Sequence, residues 1–450
     1  MAKREYLTAP LPSTRMPPAV PYILANETAE RLAFYGMSSI LVIFMTDYLV
    51  GSNGALSVMG NESANEWFHW FNAAVYFMAI VGAVISDVWL GKFKTIVPFS
   101  VVYCVGFAVL TFNHTRLGLI GGLGLITLGS GIIKPCVSAN VGDQFGPSNK
   151  HLIERVYSWF YFAINLGATV SMFLCPVFLS KWGPTAGFGI PAVFMLIATI
   201  AYWLGRHRFV HIPPAGKAGV LQALDREGLK TVGRIGVIFV FVAMFFALFY
   251  QSQSAWVLQA KNMKLDWLWI TWEPAQMQAA NPFLILIAIP LFSYWLYPTL
   301  SRVWTMTPLR KIGIGMFITA VSFLIPVWIE MQIAAGAKPS IGWQFLAYVF
   351  LTAAEVMVSV TALEFAYKQA PNRMKSLIQS VNLLSISLGN IFAAIVNAVI
   401  QNEDGTSKLP GASYYWFFTG AMLLTGLLFI PIADRYKTKE YIQNEAHDDA

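Results

Sequence analysis

The sequence predicts an all-α polytopic membrane protein whose twelve transmembrane helices form two six-helix bundles. Only 12% of the 450 residues are charged, whereas a soluble domain averages about 25%. Apolar runs of about 18 residues or more, long enough to cross ~30 Å of hydrocarbon, recur from end to end. One long polar interval divides these runs into six and six, which predicts the two bundles.

The predicted spans are apolar and bounded by polar or turn-forming residues. Fifteen Trp and eighteen Tyr suit the aromatic belts at the two faces of such a protein. The twelve spans are 21–49, 65–90, 93–112, 117–141, 153–180, 186–204, 234–258, 281–301, 311–333, 341–369, 374–401 and 413–433.

The net charge of +7 is explained by the orientation of the chain in the membrane rather than by nucleic-acid binding. With the N-terminus inside, 22 of the 30 Lys and Arg residues lie at or beside cytoplasmic ends, and Arg31 and Lys134 lie within spans. Positive charge favours the cytoplasmic side, so we expect both termini there and no nucleic-acid partner. The external loops hold the other basic residues: Arg116, Lys181, Lys261, Lys264, Lys338 and Lys408.

The polar interval 205–233 is interpreted as a cytoplasmic linker between an N-terminal bundle (1–204) and a C-terminal bundle (234–434), with a tail at 435–450. A six-plus-six layout is typical of carriers whose substrate site lies between the halves near the midplane. The first 20 residues are polar and proline-rich, so we expect the first span to be a retained helix. The three cysteines lack metal-ligand spacing, so no metal or cofactor is expected.

Four ionisable residues inside spans are the main functional candidates, because a charge within the bilayer is costly. Glu27, Glu30 and Arg31 share one face of the first span, and Lys134 lies at a similar depth in the fourth. Two interpretations remain open. The four groups form a static ion-pair network, or they form a proton-and-substrate site in which protonating a carboxylate frees a cation for a ligand.

The second half adds a different pattern of charge. Glu355 lies near the midplane and either grips an ammonium group or plays a hydrogen-bonded structural role. Glu364 and Lys368, four residues apart, are expected to form a structural or gating ion pair. His69, four residues from the external end of the second span, is either a satisfied interfacial group or a titrating one.

Six segments, taken in chain order, carry a more specific pattern. They begin with E-x-x-E-R at 27–31, followed by Phe34-Tyr35-Gly36-Met37, and together they resemble the proton-dependent oligopeptide transporter family of the major facilitator superfamily. The resemblance covers essentially the whole chain. The other five segments are DVWLGK at 87–92, GSGIIKPCVSANVGDQF at 129–145, FYFAINLG at 160–167, PAQMQAANP at 274–282 and EVMVSVTALEFAYKQAP at 355–371.

The resemblance implies a role for each polar residue. His69 stands 18 residues before Asp87, the spacing of a functional histidine in the animal members, which implies a proton role. Proton coupling and carboxylate binding would fall to Glu27, Glu30, Arg31 and Lys134. Substrate contacts would fall to Tyr35, Tyr76, Lys134, Asn165, Asn281 and Glu355, the last holding the amino end of a peptide.

The chain departs from the family at a gate between the halves. Ser38 stands where an arginine is common, and Tyr250 stands where the family has an acidic residue. Both lie ~25 Å from the cytoplasmic side, so we expect them to be neighbours. Closure of the transport path on the external side should then rest on neutral packing and hydrogen bonds. The 205–233 linker also leaves no room for the extra helix pair of many bacterial members.

The predicted function is proton-coupled symport of di- and tripeptides by alternating access, in a bacterial inner membrane and as a monomer. The expected partners are small peptides, protons and the lipid bilayer. A carrier of amino acids or nitrate on the same fold remains the alternative, and nitrate would not require Glu355. A membrane-embedded hydrolase would need a nucleophile–base pair or a metal set, and His69 is the one histidine in a span. A non-transporting sensor would bind its ligand without counterflow.

Overall fold

The computed structural model describes residues 6–214, 216, 226–369, 375–402 and 406–436. Two threonines cap long helices in the usual way: the Thr115 side chain accepts a hydrogen bond from Gly118 N, and that of Thr307 from Arg310 N. The first half contains α1 (Val20–Ile43), α2 (Asn61–Ile85), α3 (Lys92–Phe112), α4 (Arg116–Gly142) and α5 (Ile153–Leu204).

The second half begins with α6 (Arg226–Phe249), which a 3₁₀ turn (Tyr250–Gln253) joins to the short α7 (Ala255–Ala260). A two-stranded antiparallel hairpin follows, β1 (Asp266–Trp267) with β2 (Ile270–Thr271). The remaining helices are α8 (Ala280–Leu291), α9 (Tyr297–Ser301), α10 (Pro308–Ala334), α11 (Gly342–Glu355), α12 (Thr361–Gln369), α13 (Lys375–Ile400) and α14 (Ala412–Arg435).

The described residues contain eleven helical stretches long and apolar enough to cross a membrane. The longest, Arg155–His207, has 53 residues and extends ~80 Å at 1.5 Å per residue, enough for two crossings. It is interrupted at Gly183, whose φ of 76° and ψ of −176° are not helical. Pro184 follows. Counted as two helices on either side of Gly183, this stretch would bring the number among the described residues to the predicted twelve.

Each predicted span corresponds to an observed helix, with bounds that differ by a few residues; position 374 lies outside the described residues. The seventh span differs most, since a 3₁₀ turn interrupts its helix at Tyr250–Gln253. Four spans contain a single π-helical turn, a feature common at functional sites. These turns are Phe44–Tyr48, Ser86–Leu90, Phe292–Leu296 and Val356–Val360.

Glycine permits close helix packing in the first half. A Cβ built on Gly82 of α2 would lie 2.3 Å from the carbonyl oxygen of Ile132 on α4. One built on Gly131 would lie 2.7 Å from the carbonyl oxygen of Val75. Any larger side chain would separate the helices, so α2 and α4 touch backbone to backbone. This contact fixes the part of α4 just before Lys134.

The two halves meet where α2 packs on α13 and α5 packs on α8. Ser387 Oγ donates to the Ala73 carbonyl oxygen at 2.8 Å, and Ser63 Oγ donates to Gln401 Oε1 at 3.0 Å. The second bond lies beside segments 49–60, 261–275 and 406–411, at the end that we call the outer end. The predicted topology places this end outside the cell.

Candidate functional site

A buried guanidinium on α1 contacts two buried carboxylates. Arg31 Nε lies 2.6 Å from Glu27 Oε1, one helical turn away, and 3.1 Å from Glu30 Oε2. Glu27 and Glu30 are each only 2% exposed. Both carboxylates therefore depend on one cation, as the helical spacing predicted.

Lys134 shares this depth but not these contacts. Lys134 is buried, with only 9% of its surface exposed, yet its Nζ has no hydrogen-bond partner among the described residues. The ammonium lies 3.8 Å from the centroid of the Phe34 ring and 5.9 Å from that of Tyr76. Lys134 also lies within electrostatic reach of Glu27 and Glu30, so mutual neutralisation of two acids by two bases stays a prediction, while the ammonium itself packs on aromatic faces. Lys134 is thus a buried cation that an anionic ligand group could bind.

Glu355 supplies the negative charge of the second half. It is the last residue of α11, directly before the π-helical turn Val356–Val360. Asn281 Nδ2 on α8 donates to Glu355 Oε2 at 2.7 Å and to Thr352 Oγ1 at 3.1 Å. Asn281, predicted to contact peptide backbone, binds the carboxylate in this conformation.

Tyrosines connect the cationic and anionic groups. Tyr35 lies within electrostatic reach of Arg31 and of Glu355, which places the charges of the two halves around one site. Tyr250 on the second half donates its hydroxyl to the Tyr76 hydroxyl on α2 at 2.6 Å. The predicted site tyrosines, Tyr35 and Tyr76, therefore lie at the boundary between the halves.

Asn165 on α5 points toward the same region. Its Nδ2 donates to the carbonyl oxygen of Tyr161, one turn earlier, at 2.9 Å. Tyr161 lies within electrostatic reach of Glu355. Asn165 is 8% exposed, and its role as a substrate contact stays a prediction.

His69 is fully buried between the halves, not exposed at an interface. Its Nδ1 lies 2.8 Å from Asn390 Oδ1 on α13, and its Nε2 lies 3.3 Å from Ser254 Oγ. In the neutral ring that these partners favour, Nδ1–H donates to Asn390 and Nε2 accepts from Ser254. The imidazole therefore holds the two halves together.

Ser38 and Tyr250, the predicted substitutes for a charged gate, have different partners. Ser38 Oγ donates to Gln253 Oε1 at 3.4 Å, whereas Tyr250 bonds to Tyr76. The expectation that Ser38 and Tyr250 are neighbours stays a prediction, and equal depth alone does not fix the rotation of either helix. Gln253 lies three residues beyond Tyr250 and presents its amide to α1.

The outer rim contains an ion pair that the sequence analysis did not foresee. Lys261 Nζ on the second half lies 2.5 Å from Asp47 Oδ1 on the first. External closure was expected to rest on neutral packing and hydrogen bonds, and this pair adds a charged contact between the halves. Hydrogen bonds also join the halves: Gln278 Nε2 donates to the Ser39 carbonyl at 3.0 Å, and Ser180 Oγ donates to the Glu273 carboxylate at 2.6 Å.

The predicted pair Glu364–Lys368 is described only in part. Glu364 lies on α12, and its side chain is exposed. The side chain of Lys368 lies outside the described part of the chain, so the pairing stays a prediction.

One neighbour of Glu30 escaped the sequence analysis. Tyr103 on α3 is 0% exposed and lies close to Glu30 and to Ser130 on α4. A tyrosine in an apolar run gives little signal by itself, because buried tyrosines are common in helix packing. Only the three-dimensional arrangement brings its hydroxyl beside the carboxylates.

Known proteins match this chain in sequence. A family model described as PTR2, POT family, matches residues 93–222 and 217–417. Peptide transporter family 1 of Drosophila melanogaster is 34% identical over 373 residues, which cover 72% of this chain and 49% of that protein. Solute carrier family 15 member 2 of Homo sapiens is 31% identical over 401 residues, covering 77% and 54%. The chain thus spans about half the length of these curated relatives.

Solved structures match it in fold. A crystal structure described as an auto inhibited POT family peptide transporter is 32% identical, with a TM-score of 0.86 over 95% of this chain and 99% of that one. The POT family transporter PepTSo is 34% identical, with a TM-score of 0.85 over 94% and 99%. The fold and the central charges define a multi-pass membrane protein of the major facilitator class. This chain belongs to the POT family.

Proposed function

We propose that this chain carries di- and tripeptides into the cell by alternating access, driven by protons. The observation that carries the proposal is the separation of charge around one site. Lys134, whose Nζ has no hydrogen-bond partner among the described residues, lies on the first half with Arg31 and its two carboxylates, and Glu355 lies on the second. The names of the relatives, which describe peptide transporters, agree with this arrangement.

A peptide zwitterion complements the site. Its carboxylate would bind the ammonium of Lys134, which has no hydrogen-bond acceptor among the described residues. Its amino group would bind Glu355, displacing or sharing the hydrogen bond from Asn281. Because the two ends of the ligand contact opposite halves, binding draws the halves together and favours an occluded state.

Proton coupling would arise from the shared guanidinium. While Glu27 and Glu30 are both ionised, they share the guanidinium of Arg31, whose Nε contacts both carboxylates. Protonating one carboxylate frees donors of Arg31 for the carboxylate of the peptide. Each inward charge also gains ~2.3 kcal/mol per 100 mV of membrane potential. Protonation and peptide binding thus support each other at a single residue.

His69 would link protonation to opening of the outer end. A second proton on the ring turns Nε2 from an acceptor into a donor, so the bond with Ser254 must reverse. An imidazolium buried between the halves also gains hydration when they part. Protonation of His69 would therefore favour the outward-open state.

The setting completes the proposal. The positive-inside rule favours cytoplasmic termini in a bacterial inner membrane, with the halves 1–204 and 234–434 moving about the 205–233 linker. The site is formed within one chain, which supports a functional monomer.

The test is dialanine uptake by purified protein in proteoliposomes. A proton gradient directed into the vesicles, with the acidic side outside, should drive accumulation. Glu30→Gln should abolish this accumulation while leaving peptide counterflow. Uptake that ignores both the gradient and this substitution would contradict proton coupling. Competition by peptides, amino acids and nitrate identifies the solute. Normal uptake of nitrate by Glu355→Ala, with no competition by peptides, would contradict the peptide assignment.

A further inference from the structure

A cavity lies between the halves at the outer end, apart from the central site. Its volume is about 150 Å³, the space of roughly five water molecules at ~30 Å³ each. The first turns of α2 form one wall, and the second half forms the rest. Its polar lining includes Asn61, Glu62, Asn65, Gln259, Glu330 and Asn397.

The two acidic residues of this lining have free acceptor capacity. Glu330 Oε1 accepts a hydrogen bond from Gln259 Nε2 at 3.0 Å, and no described residue donates to Oε2. A Cβ built on Gly411, which also lines the cavity, would lie 3.7 Å from that Oε2. Neither Glu62 nor Glu330 forms an ion pair within the described ranges, and the described lining contains no Lys or Arg. The described lining therefore carries two acidic side chains and no basic side chain that would neutralise them.

Asn65 gives independent support for a ligand. It is only 5% exposed, yet its Oδ1 has no hydrogen-bond partner among the described residues. Buried amides without a partner are rare, and an ion or water at the site is a common explanation. Rotating this amide by 180° exchanges its oxygen and nitrogen, so either atom can face the cavity.

We propose that this outer cavity binds a hydrated divalent cation of the hard class, Ca²⁺ or Mg²⁺. Carboxylate and amide oxygens are the ligands these ions prefer. Two carboxylates balance the charge of one divalent ion. No cluster of three His, Cys, Asp or Glu side chains occurs in the described part of the chain, so water completes the coordination shell. We expect a dissociation constant on the order of 0.1–1 mM, the range of extracellular calcium modules.

The cation would stabilise the closed outer end. Asn61, Glu62 and Asn65 belong to the first half, and the other walls belong to the second, so opening the outer end divides the site. A ligand that binds one state better shifts the population toward it. This consequence rests on the proposed alternating-access cycle, whereas binding itself does not.

The test is calorimetric titration of purified protein with CaCl₂ and with MgCl₂ at constant ionic strength. Wild type should bind one ion, and Glu330→Gln and Glu62→Gln should each weaken binding on the order of tenfold. Glu66→Gln is the matched control, because Glu66 lies on the same helix but does not line the cavity. Absence of binding, equal loss in the control, or equal heats with NaCl would each overturn the site.

Spin labels at Ser52 and Lys338, exposed in outer loops of the two halves, test the consequence separately. Ca²⁺ should increase the short-distance population in wild type and leave it unchanged in Glu330→Gln. Unchanged distances despite calorimetric binding would overturn the coupling to closure. Failure of dialanine uptake would contradict the proposed function and leave the titration result intact.

Discussion

The central site and the outer seal join the same two halves with different chemistry. The central site concentrates charge: Glu27, Glu30 and Arg31 are in contact, and Lys134 has no hydrogen-bond partner among the described residues. By the outer seal we mean the hydrogen bonds that join the two halves beyond these charges. It uses mainly neutral groups, as in the bonds Tyr76–Tyr250 and His69–Asn390. Neutral hydrogen bonds contribute only about 1 kcal/mol each, so the seal can open repeatedly. Buried charges are costly without a partner, so the site selects a charged ligand.

The largest effect should come from breaking the charged cluster. Arg31→Ala leaves two buried carboxylates without their cation, and we expect a loss of about 3–5 kcal/mol in the free energy of unfolding. Lys134→Ala is the matched control, since it removes a cation with no hydrogen bond and should cost less. Thermal unfolding in detergent, followed by tryptophan fluorescence, measures both. An equal or larger loss for Lys134→Ala would show that the lysine is structurally paired.

Glu355→Gln should weaken binding of the peptide amino group. A hydrogen bond to a charged group is worth about 1.5–3 kcal/mol, so the affinity for dialanine should fall by about tenfold or more. Affinity for N-acetyl-dialanine, which has no ammonium group, should change little. Competition against labelled peptide gives both constants. Equal loss for the two ligands would mean that Glu355 does not recognise the amino end.

The neutral seal should respond more weakly. Tyr250→Phe removes the donor to Tyr76, which at about 1 kcal/mol shifts the closed-to-open ratio of the outer end about fivefold. Tyr348→Phe is the control, because its hydroxyl donates to the Ser252 carbonyl within one half. Distances between spin labels at Ser52 and Lys338 report the ratio. A shift of equal size in the control would indicate general loosening instead of gating.

The smallest effect should come from the rim. Lys261 and Asp47 are 32% and 37% exposed in their side chains, and exposed pairs contribute about 0.2–1 kcal/mol. Lys261→Met should therefore shift the same label distances slightly, and the shift should disappear at high salt. Lys264→Met, a nearby exposed lysine, is the control. A large or salt-insensitive shift would make the rim pair the principal gate.

The parts of the site that one helix determines could be predicted from the sequence. The spacing of Glu27, Glu30 and Arg31 along α1 places them on one face, and the structure confirms their contact. The equal level of Lys134 and the charged face of α1 also followed from counting residues, since Lys134 Nζ lies 3.8 Å from the centroid of the Phe34 ring. Side chains from different helices could not be paired this way, because rotation about each helix axis is not determined by the count. The hydrogen bond from Ser38 to Gln253, three residues beyond Tyr250, is an example.

Contacts distant in sequence were hardest to foresee. His69 and Asn390 are 321 residues apart, and nothing in either segment indicates the other. Lys261 directly follows the short helix α7. The predicted span 234–258 ends before this residue and gave no information about the direction of the Lys261 side chain. The predicted spans 153–180 and 186–204 leave a loop at 181–185 between them. In the structure, the single non-helical residue Gly183 separates the two helices instead.

The glycine contact between α2 and α4 limits where the molecule can deform. Gly82 meets Ile132, and Gly131, three residues before Lys134, meets α2. With no side chains between the two backbones, this wall of the first bundle has little room to slide or spread. Cargo of different sizes must therefore be accommodated along the seam between the bundles. The largest molecule that the protein can pass is then limited by how far two rigid bodies separate.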